Sequence, residues 1–435
     1  MNTYREVEAY ILDIPKFAGK HTLKDTGKLL LQLTGNTRKS KVIHIAGTNG
    51  KGSVCAYLRS VLMASGCSVG MFTSPHLEVM RERICLGKEM ISEEEFLTAF
   101  EKVKVVVDKE TPDSHPSFFE FLFLMAMVYF EEKAPEYIIL ETGLGGRLDA
   151  TNCIEKPEVC VITEIGFDHM QYLGDTLEEI AGEKAGIIKP GTPVVFFDKR
   201  ASVTEILEKF AKKAGSRAIR IGKDSILDVN IHNKNIDFSL HSGYYNYDSL
   251  FLNTAAAYQV ENASLAVAAA EVLAEADGRI SKESIREGLA EASWPGRMEE
   301  IFPGIYLDGA HNVDGIEAFL KTAALIPCKG RRLLMFGVVS DKQYETMIGM
   351  IAGAGLFEQA AVTVLESDRS ASLDKLKEIW RQYKELACTF FEDANEAYNY
   401  LISIKKEEDI VYIAGSLYLI GQLKALVRRT PDDRF

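Results

Sequence analysis

The sequence predicts an α/β protein of two domains, the first with a mostly parallel sheet and the second smaller and Rossmann-like. Three observations carry this prediction. The chain has 435 residues, too many for one ordinary core, since domains commonly hold about 100–200 residues. Strand-like apolar runs alternate with helical patterns along most of the chain, as in sheets covered by helices on both faces. A glycine-rich segment also separates the first such strand from a helix.

The first domain is predicted to open with a buried strand at 41–46 and a helix at 51–64. The segment 222–252 alternates apolar and polar residues, which predicts a small antiparallel sheet with one solvated face. The alanine-rich segment 253–274 is predicted to be helical throughout. The remaining expected elements are strands at 67–72, 136–141, 159–163 and 193–197 and helices at 92–108, 118–130 and 176–185.

A second domain is predicted to begin near Trp294-Pro295-Gly296. The expected domains are therefore 1–295 and 296–435. Helical stretches again separate strand-like runs, which predicts another open α/β sheet. Its expected strands are 305–308, 332–336, 360–365 and 410–413.

Composition excludes several functional classes. Lysine and arginine number 50 against 63 acidic residues, a net charge of −13, which repels nucleic acid and acidic membranes. The longest apolar run, 118–130, is too short to span a bilayer. The N-terminus lacks a signal-peptide pattern, and the 7 cysteines suggest no disulfide framework. We therefore expect a cytoplasmic protein without nucleic-acid or membrane partners.

The segment Gly47-Thr48-Asn49-Gly50-Lys51-Gly52-Ser53 predicts a phosphate-binding loop. Small residues let backbone N–H groups approach phosphate oxygens at a helix N-terminus. Lys51 can reach a terminal phosphate, and the Ser53 hydroxyl can ligate Mg²⁺. The strict P-loop pattern is not met, because Ile45 replaces its first glycine and Gly52 separates the lysine from the serine. The alternative is a plain glycine turn.

Two strand ends carry candidate metal ligands. Glu141 ends a strand before a glycine-rich turn, where ligands of parallel sheets bind. His169 follows another strand end, although histidine is an unusual partner for Mg²⁺. The alternatives are a solvated carboxylate at Glu141 and a hydrogen-bonded structural histidine at His169.

Three further residues are candidates with a structural interpretation, and two of them also have a functional one. Lys184 ends a helix, where lysine usually complements the helix dipole. Asp308 follows a strand and precedes a glycine turn, so it can hold a ribose hydroxyl or bond its own backbone. Arg297 lies in the candidate linker, where it can bind a phosphate across a cleft or form a salt bridge. From the residues alone, the sequence indicates an ATP-dependent enzyme without an identified acceptor.

The order of these motifs resembles the folylpolyglutamate synthases, some also dihydrofolate synthases, of the Mur ligase superfamily. The resemblance runs from about residue 15 to 427. The matching strings are HIAGTNGKGS (44–53), TSPHL (73–77), ETGLGGRLDATN (141–152), GFDHMQYLG (166–174), GEKAGIIKPG (182–191), ENASLA (261–266), WPGRME (294–299), DGAHNVDG (308–315) and GSLYL (415–419).

The resemblance implies a P-loop-type Mur-ligase ATPase domain at 1–295 and a glutamate-ligase domain at 296–435. The implied enzyme is a cytoplasmic monomer. It uses ATP to phosphorylate a folate carboxylate, and the amine of L-glutamate attacks the acyl phosphate. The string LGGRLDATN resembles the bacterial bifunctional enzymes, so dihydropteroate is expected as a substrate beside reduced folates.

The resemblance also implies site residues. Catalytic roles fall to Lys51, Lys184 and His169. The expected cofactors are ATP, two Mg²⁺ ions and N6-carboxylysine at Lys184, and K⁺ is a further candidate. Metal ligands would be Ser53, Ser74, Glu141 and His169. The implied ATP contacts are Thr48, Asn49, Gly50, Lys51, Gly52, Ser53, Asn262, Arg297 and Asp308. The implied substrate contacts are Ser74, Pro75, His76, Arg147, Asp149 and His311.

The sequence departs from the family pattern at three places. Gln343 follows Asp341-Lys342 where aspartate is frequent, Val313 replaces a common proline, and Tyr258 replaces a common histidine. Two rival functions stay open. One is a Mur-type ligase acting on a nucleotide-linked cell-wall precursor. The other is a nucleotide-binding module that has lost ligation.

Overall fold

A computed structural model describes residues 3–16, 19–35, 39–232 and 234–429. The chain folds into two compact units. The first unit comprises Met1–Asp228, Phe238–Phe251 and Glu261–Ala292, and the second comprises Val229–Asp237, Leu252–Val260 and Ser293–Phe435.

An eight-stranded sheet forms the first unit. Its order is β4-β3-β2-β5-β1-β6-β7-β8. The six strands from β2 to β8 pair in parallel, and the short edge strands β3 and β4 pair antiparallel. The strands are β1 (Lys41–Ala46), β2 (Val69–Phe72), β3 (Ile84–Leu86), β4 (Glu89–Met90), β5 (Tyr137–Glu141), β6 (Val159–Ile162), β7 (Val194–Asp198) and β8 (Ala218–Gly222).

Helices pack against this sheet in separate apolar clusters. One cluster joins α1, α2, α4 and α5 to the sheet, and another joins α7 and α8 to β6 and β7. The helices are α1 (Tyr4–Asp13), α2 (Leu23–Thr34), α3 (Lys51–Ala64), α4 (Glu93–Glu110), α5 (Phe118–Lys133), α6 (Met170–Leu173), α7 (Leu177–Ala185), α8 (Ala201–Lys213), α9 (Gln259–Ala274) and α10 (Lys282–Glu291).

The apolar helix α5 is the centre of the larger cluster. A capping box of Ser117 and Glu120 starts it, since each side chain bonds the backbone N–H of the other residue. Every residue from Phe121 to Phe130 is buried, which accounts for a sequence that is apolar all round. In the described part of the chain, no helix combines the length and apolar character needed to cross a membrane.

The predicted small antiparallel sheet is confirmed. It consists of β9 (Ile226–Ile231), β10 (Ile236–His241) and β11 (Asn246–Leu252) in the order β11-β10-β9. The two connections are only four residues long, which antiparallel neighbours allow and parallel ones do not. In β10, Ile236, Phe238 and Leu240 are buried while their neighbours are partly exposed.

The prediction of one helix over 253–274 was wrong at its start. The helix α9 begins at Gln259. Before it, the Thr254 hydroxyl accepts a bond from the Ala256 N–H at 3.1 Å. Such a bond offers the backbone an alternative to the helix. Ala255 and Ala256 are instead buried in the core of the second unit.

A six-stranded sheet of order β12-β13-β17-β14-β15-β16 forms the second unit. All pairs are parallel except the β12–β13 edge. Its strands are β12 (Glu299–Phe302), β13 (Ile305–Leu307), β14 (Arg332–Phe336), β15 (Gln359–Thr363), β16 (Ala387–Phe391) and β17 (Ile410–Ala414). Its helices are α11 (Val313–Leu325), α12 (Tyr344–Gly353), α13 (Leu373–Trp380), α14 (Ala394–Ile404) and α15 (Leu417–Arg429).

Candidate active site

Residues 47–53, which lead from β1 into the first turn of α3, are the predicted phosphate-binding loop, called the phosphate loop below, and have the conformation that their sequence requires. Gly50 caps the helix with φ 88°, in the left-handed region that favours glycine. A methyl group at this position would overlap the Asn262 side chain, and one at Gly47 would overlap Thr163. The loop is thus held from two sides, and its N–H groups lie at the start of a 14-residue helix, where anions bind.

Several bonds tie the loop to the segment after β6, and two of them are the shortest. The Thr48 N–H donates to the Glu164 carbonyl at 2.7 Å. The Thr163 hydroxyl donates to the Asn49 carbonyl, also at 2.7 Å. These contacts fix the backbone that would surround a phosphate.

Lys51 and Glu141 face each other at the carboxyl ends of β1 and β5. The Lys51 ammonium lies 3.8 Å from a Glu141 carboxylate oxygen and 3.3 Å from the Thr48 carbonyl. Glu141 is only 3% exposed, and its other oxygen accepts the Ser74 N–H at 3.0 Å. Ser53 is buried in the first turn of α3. The structure therefore brings the predicted residues Lys51, Ser53, Ser74 and Glu141 to one end of the sheet.

Lys184 is buried, although lysine near a helix end is usually solvated. Its ammonium donates to the Gly47 carbonyl at 2.7 Å. Burial, followed by the charge of Lys51, lowers the pKa of Lys184 to about 7. A methyl group at Gly146 would lie 2.8 Å from the Lys184 carbonyl, so the loop after β5 packs directly on the end of α7. The lysine thus lies beside the phosphate loop as a weakly basic amine.

The loop after β5 is organised by Asp149. Its carboxylate accepts the N–H groups of Gly143 and Leu144 at 2.8 and 2.9 Å and the Thr151 hydroxyl at 2.6 Å. The Thr151 oxygen lies 2.8 Å from Nε2 of the buried His44 on β1. Because the Thr151 proton goes to Asp149, His44 is the donor in this contact. Burial lowers the pKa of His44 to about 3, so the imidazole is neutral.

Arg147 and His169 lie at the rim of this region. Arg147 forms a forked ion pair with Glu183, with a shortest distance of 2.7 Å, and is more than half exposed. His169 precedes α6 with φ 51°, and its N–H donates to the Asp168 carboxylate at 2.9 Å. A left-handed histidine is uncommon, and here it accompanies a sharp entry into a short helix.

The segment after β2 presents His76 in a single tautomer. Nε of Arg83 donates to Nδ1 of His76 at 2.8 Å, so an imidazole proton can only reside on Nε2. Burial, and then the Arg83 charge, lowers the pKa of His76 to about 3. His76 is therefore a neutral donor. Pro75, its neighbour, follows a cis peptide bond and is exposed.

In the second unit, the predicted site residue Asp308 directly follows β13 and is held by three hydrogen bonds. The buried carboxylate accepts the Tyr258 hydroxyl at 2.6 Å and the N–H groups of Met298 and Ala310 at 3.1 and 2.8 Å. Burial raises the pKa of Asp308, while Arg297 and then Tyr258 oppose the rise.

The predicted residue His311 and the departures Val313 and Gln343, the latter in the loop of Asp341, also lie in the second unit. His311 Nδ1 lies 2.7 Å from the Gly309 carbonyl, so Nδ1 carries a proton. Val313 starts α11 without the common proline, because Asn312 caps the helix by accepting the Gly315 N–H at 2.8 Å. Asp341 pairs with Arg369 at 2.6 Å.

Comparison with known proteins assigns the family. The model of the Mur ligase middle domain matches residues 45–270, and that of the Mur ligase, glutamate ligase domain matches 296–417. The dihydrofolate synthase/folylpolyglutamate synthase of Bacillus subtilis is 33% identical over 433 residues, which cover 97% of this chain and 98% of that protein. The chain is a Mur ligase of the folylpolyglutamate synthase family.

Solved structures of this family share the whole fold. Mycobacterium tuberculosis folylpolyglutamate synthase complexed with ADP superposes with a TM-score of 0.88 at 27% identity, covering 99% of both chains. Escherichia coli FolC in complex with DHPP and ADP superposes with a TM-score of 0.86 at 26% identity, again covering 99% of both chains. The predicted family and fold class are confirmed.

The residues at the loop fit a Mg²⁺ ion that also binds phosphate oxygens. Glu141 offers a buried carboxylate, and Ser53 and Ser74 offer hydroxyls, which are oxygen ligands of the kind that Mg²⁺ prefers. Throughout the described ranges, no group of three or more His, Cys, Asp and Glu could hold a metal ion. The oxygens of a bound nucleotide would therefore complete the coordination, as is usual for Mg²⁺.

Sequence reasoning missed several residues that shape this family site. His44 and Thr151 lie inside matching strings, but no pattern assigned them a role. Arg83 lies eleven residues after the end of β2 at Phe72 and outside every matching string. Glu164 and Lys199 are far apart in sequence, and only the sheet order β6-β7 brings them together.

Proposed function

We propose that this protein is an ATP-dependent ligase that adds L-glutamate to reduced folates and to dihydropteroate. The observation that carries the proposal is the Lys51–Glu141 pair at the phosphate loop of a Mur ligase fold. The ligands named for the family structures support the nucleotide and one folate precursor: ADP for the Mycobacterium tuberculosis enzyme, and DHPP with ADP for the Escherichia coli enzyme.

In the proposed reaction, a substrate carboxylate oxygen attacks the γ-phosphorus of ATP, and ADP leaves. The glutamate amine then attacks the acyl carbon, the C–O bond to phosphate breaks, and the amine loses a proton. The products are the amide, ADP and phosphate. Lys51 and the N–H groups at the start of α3 would stabilise charge on the transferred phosphoryl group.

We propose Ser53, Ser74, Glu141 and His169 as the residues that would hold two Mg²⁺ ions. When bound, Mg²⁺ would neutralise phosphate charge and orient the γ-phosphoryl group. Glu141 also accepts the Ser74 N–H, so one carboxylate positions both the metal site and the segment that carries His76. As a neutral imidazole, His76 would donate a hydrogen bond to the acyl substrate without acting as a base.

Lys184 is proposed to carry a carbamate. Carboxylation requires a neutral amine, and a pKa of about 7 supplies one at physiological pH. The carbamate would reverse the charge beside Gly47 and offer an oxygen ligand. Asn262, Arg297, Asp308 and His311 remain proposed contacts for nucleotide or glutamate.

A product assay tests the proposal. The protein would be incubated with Mg-ATP, L-glutamate and either 7,8-dihydropteroate or tetrahydrofolate, and the products identified by mass spectrometry. We expect a gain of one glutamate in both reactions with equimolar ADP, and none with the K51A variant. A gain with tetrahydrofolate alone would refute the dihydropteroate activity. No gain in either reaction, with ADP binding intact, would refute the folate ligase.

A further inference from the structure

Three charged side chains form an ion triad beside the phosphate loop. Lys199 follows β7, and its ammonium donates to Glu164 at 2.7 Å and to Glu261 at 3.2 Å. The three side chains are 35%, 21% and 29% exposed, respectively. Burial acts to lower the pKa of Lys199, but the two carboxylates outweigh it and raise the pKa. The triad therefore contains one cation and two anions.

One carboxylate of the triad belongs to a residue that bonds the phosphate loop, and the other belongs to the residue before a loop contact. Glu164 accepts the Thr48 N–H through its backbone carbonyl at 2.7 Å. Glu261 directly precedes Asn262, whose side chain occupies the space beside Gly50. Lys199 thus joins the segment after β6 to Glu261 in the first turn of α9, and both belong to the first unit.

The net charge of the triad should affect the binding of an anionic ligand at the phosphate loop. With Lys199 present, the net charge is −1, and without it the net charge is −2. Two half-buried carboxylates without a cation repel each other and any phosphate nearby, and such like-charge contacts are costly in partly desolvated sites. The neighbouring Arg200 guanidinium donates to the Ile165 carbonyl at 2.9 Å.

We propose that Lys199 is a positioning residue for the nucleotide, acting through Glu164 and Glu261 by cancelling one of their charges at the phosphate loop. The inference rests on the nucleotide site proposed above and adds a residue that no matching motif contains. The backbone ties of Glu164 and the Asn262 contact do not need the two carboxylates. Removing all three charges should therefore restore what removing the lysine alone takes away.

The test is the dissociation constant of Mg-ADP, measured by calorimetry at about 0.1 M salt. We expect K199M to bind about tenfold more weakly, with a defect that shrinks as salt rises. The triple variant K199M/E164Q/E261Q should return to within about threefold of the wild type. The control is K102M, which breaks the exposed Lys102–Glu132 pair (2.8 Å) between α4 and α5 and should leave binding unchanged.

Steady-state kinetics give an independent readout. K199M should raise the KM for ATP while kcat at saturating ATP stays within about twofold, because Lys199 supplies no group to the reacting atoms. If K199M does not fold, the variant E164Q/E261Q decides, since it keeps Lys199 and should bind ADP at least as tightly as the wild type.

Contrary results would refute either the role of Lys199 or the nucleotide site itself. Wild-type affinity in K199M, a triple variant as weak as K199M, or weaker binding by E164Q/E261Q would each refute the role of Lys199. Absence of ADP binding by the wild-type protein would instead refute the proposed nucleotide site.

Discussion

At the scale of single residues, the site depends on groups whose protonation is set by burial. Lys184 is the clearest case, because its amine lies among backbone groups and donates to Gly47. Its pKa of about 7 lies far below the usual value of 10.5. As pH rises through 7, the neutral amine that can take up CO₂ becomes the main species in the folded protein.

We therefore predict that carboxylation of Lys184 increases between pH 6 and pH 8, as measured by intact mass under neutral conditions that spare the labile group. K184A should lose activity and regain part of it with bicarbonate or small carboxylates. The control is K189A, which removes another lysine that donates to a backbone carbonyl, that of Asn152 at 2.8 Å. An unmodified mass at pH 8 together with no rescue of K184A would contradict the carbamate.

The Tyr258–Asp308 bond leads to a second residue-scale prediction. Burial raises the pKa of Asp308 and the Tyr258 hydroxyl lowers it, so Y258F should raise it further. If ionised Asp308 is required, the acidic limb of the pH dependence of kcat/KM moves to higher pH in Y258F. The comparison is Y306F, because the Tyr306 ring stacks on Tyr412 (5.6 Å between ring centroids). Identical acidic limbs would show that the hydroxyl does not tune Asp308.

At the scale of elements, close packing of glycines sets the position of helices. A methyl group at Gly288 on α10 would overlap the backbone of Val61 on α3, the helix that carries Lys51. We predict that G288A lowers the free energy of unfolding by about 1–3 kcal/mol, the usual cost of overpacking, measured by chemical denaturation. The matched control is G278A, where the added methyl meets no atom within 4 Å. Equal stability of both variants would contradict the packing explanation.

Elements with strong local patterns could be predicted from sequence, and those set by tertiary contacts could not. The helix 51–64 was predicted at its observed bounds because glycines precede it and apolar residues fill it. The strand β8 was not predicted, since only Ile219 and Ile221 are buried in it. The edge strand β12 and the start of α9 were also missed, because packing within the second unit determines them.

The same limit applies to the candidate site. Glu141 ends one strand and Lys51 follows another, and the carboxyl ends of parallel strands lie at the same edge of a sheet, so their proximity could be inferred from the sequence. From the residues alone, Lys184 was interpreted as a dipole-complementing lysine, because neither its burial nor its contact with Gly47 has a local pattern. Its assignment to the site came from family resemblance.

At the scale of the whole molecule, the two units have separate apolar cores, so unfolding need not be two-state. We predict that Mg-ADP, at about one hundred times its dissociation constant, stabilises the first unit by about 2.7 kcal/mol. Guanidinium denaturation with and without nucleotide measures this. The K51A variant should gain little stability from Mg-ADP. A nucleotide-independent transition in the wild-type protein would contradict binding at the phosphate loop.

Some glycines of the first unit have no space for a side chain, whereas some of its apolar side chains are exposed to solvent. The two kinds of position differ in what protein engineering can change. Gly50 and Gly146 have no room for even a methyl group, so their positions are closed to variation. In contrast, Leu148, Phe167 and Tyr172 are 70%, 36% and 49% exposed on the segments that follow β5 and β6. Exposed positions accept substitution at small cost in stability. A directed-evolution library can therefore randomise these three residues and leave the two glycines unchanged.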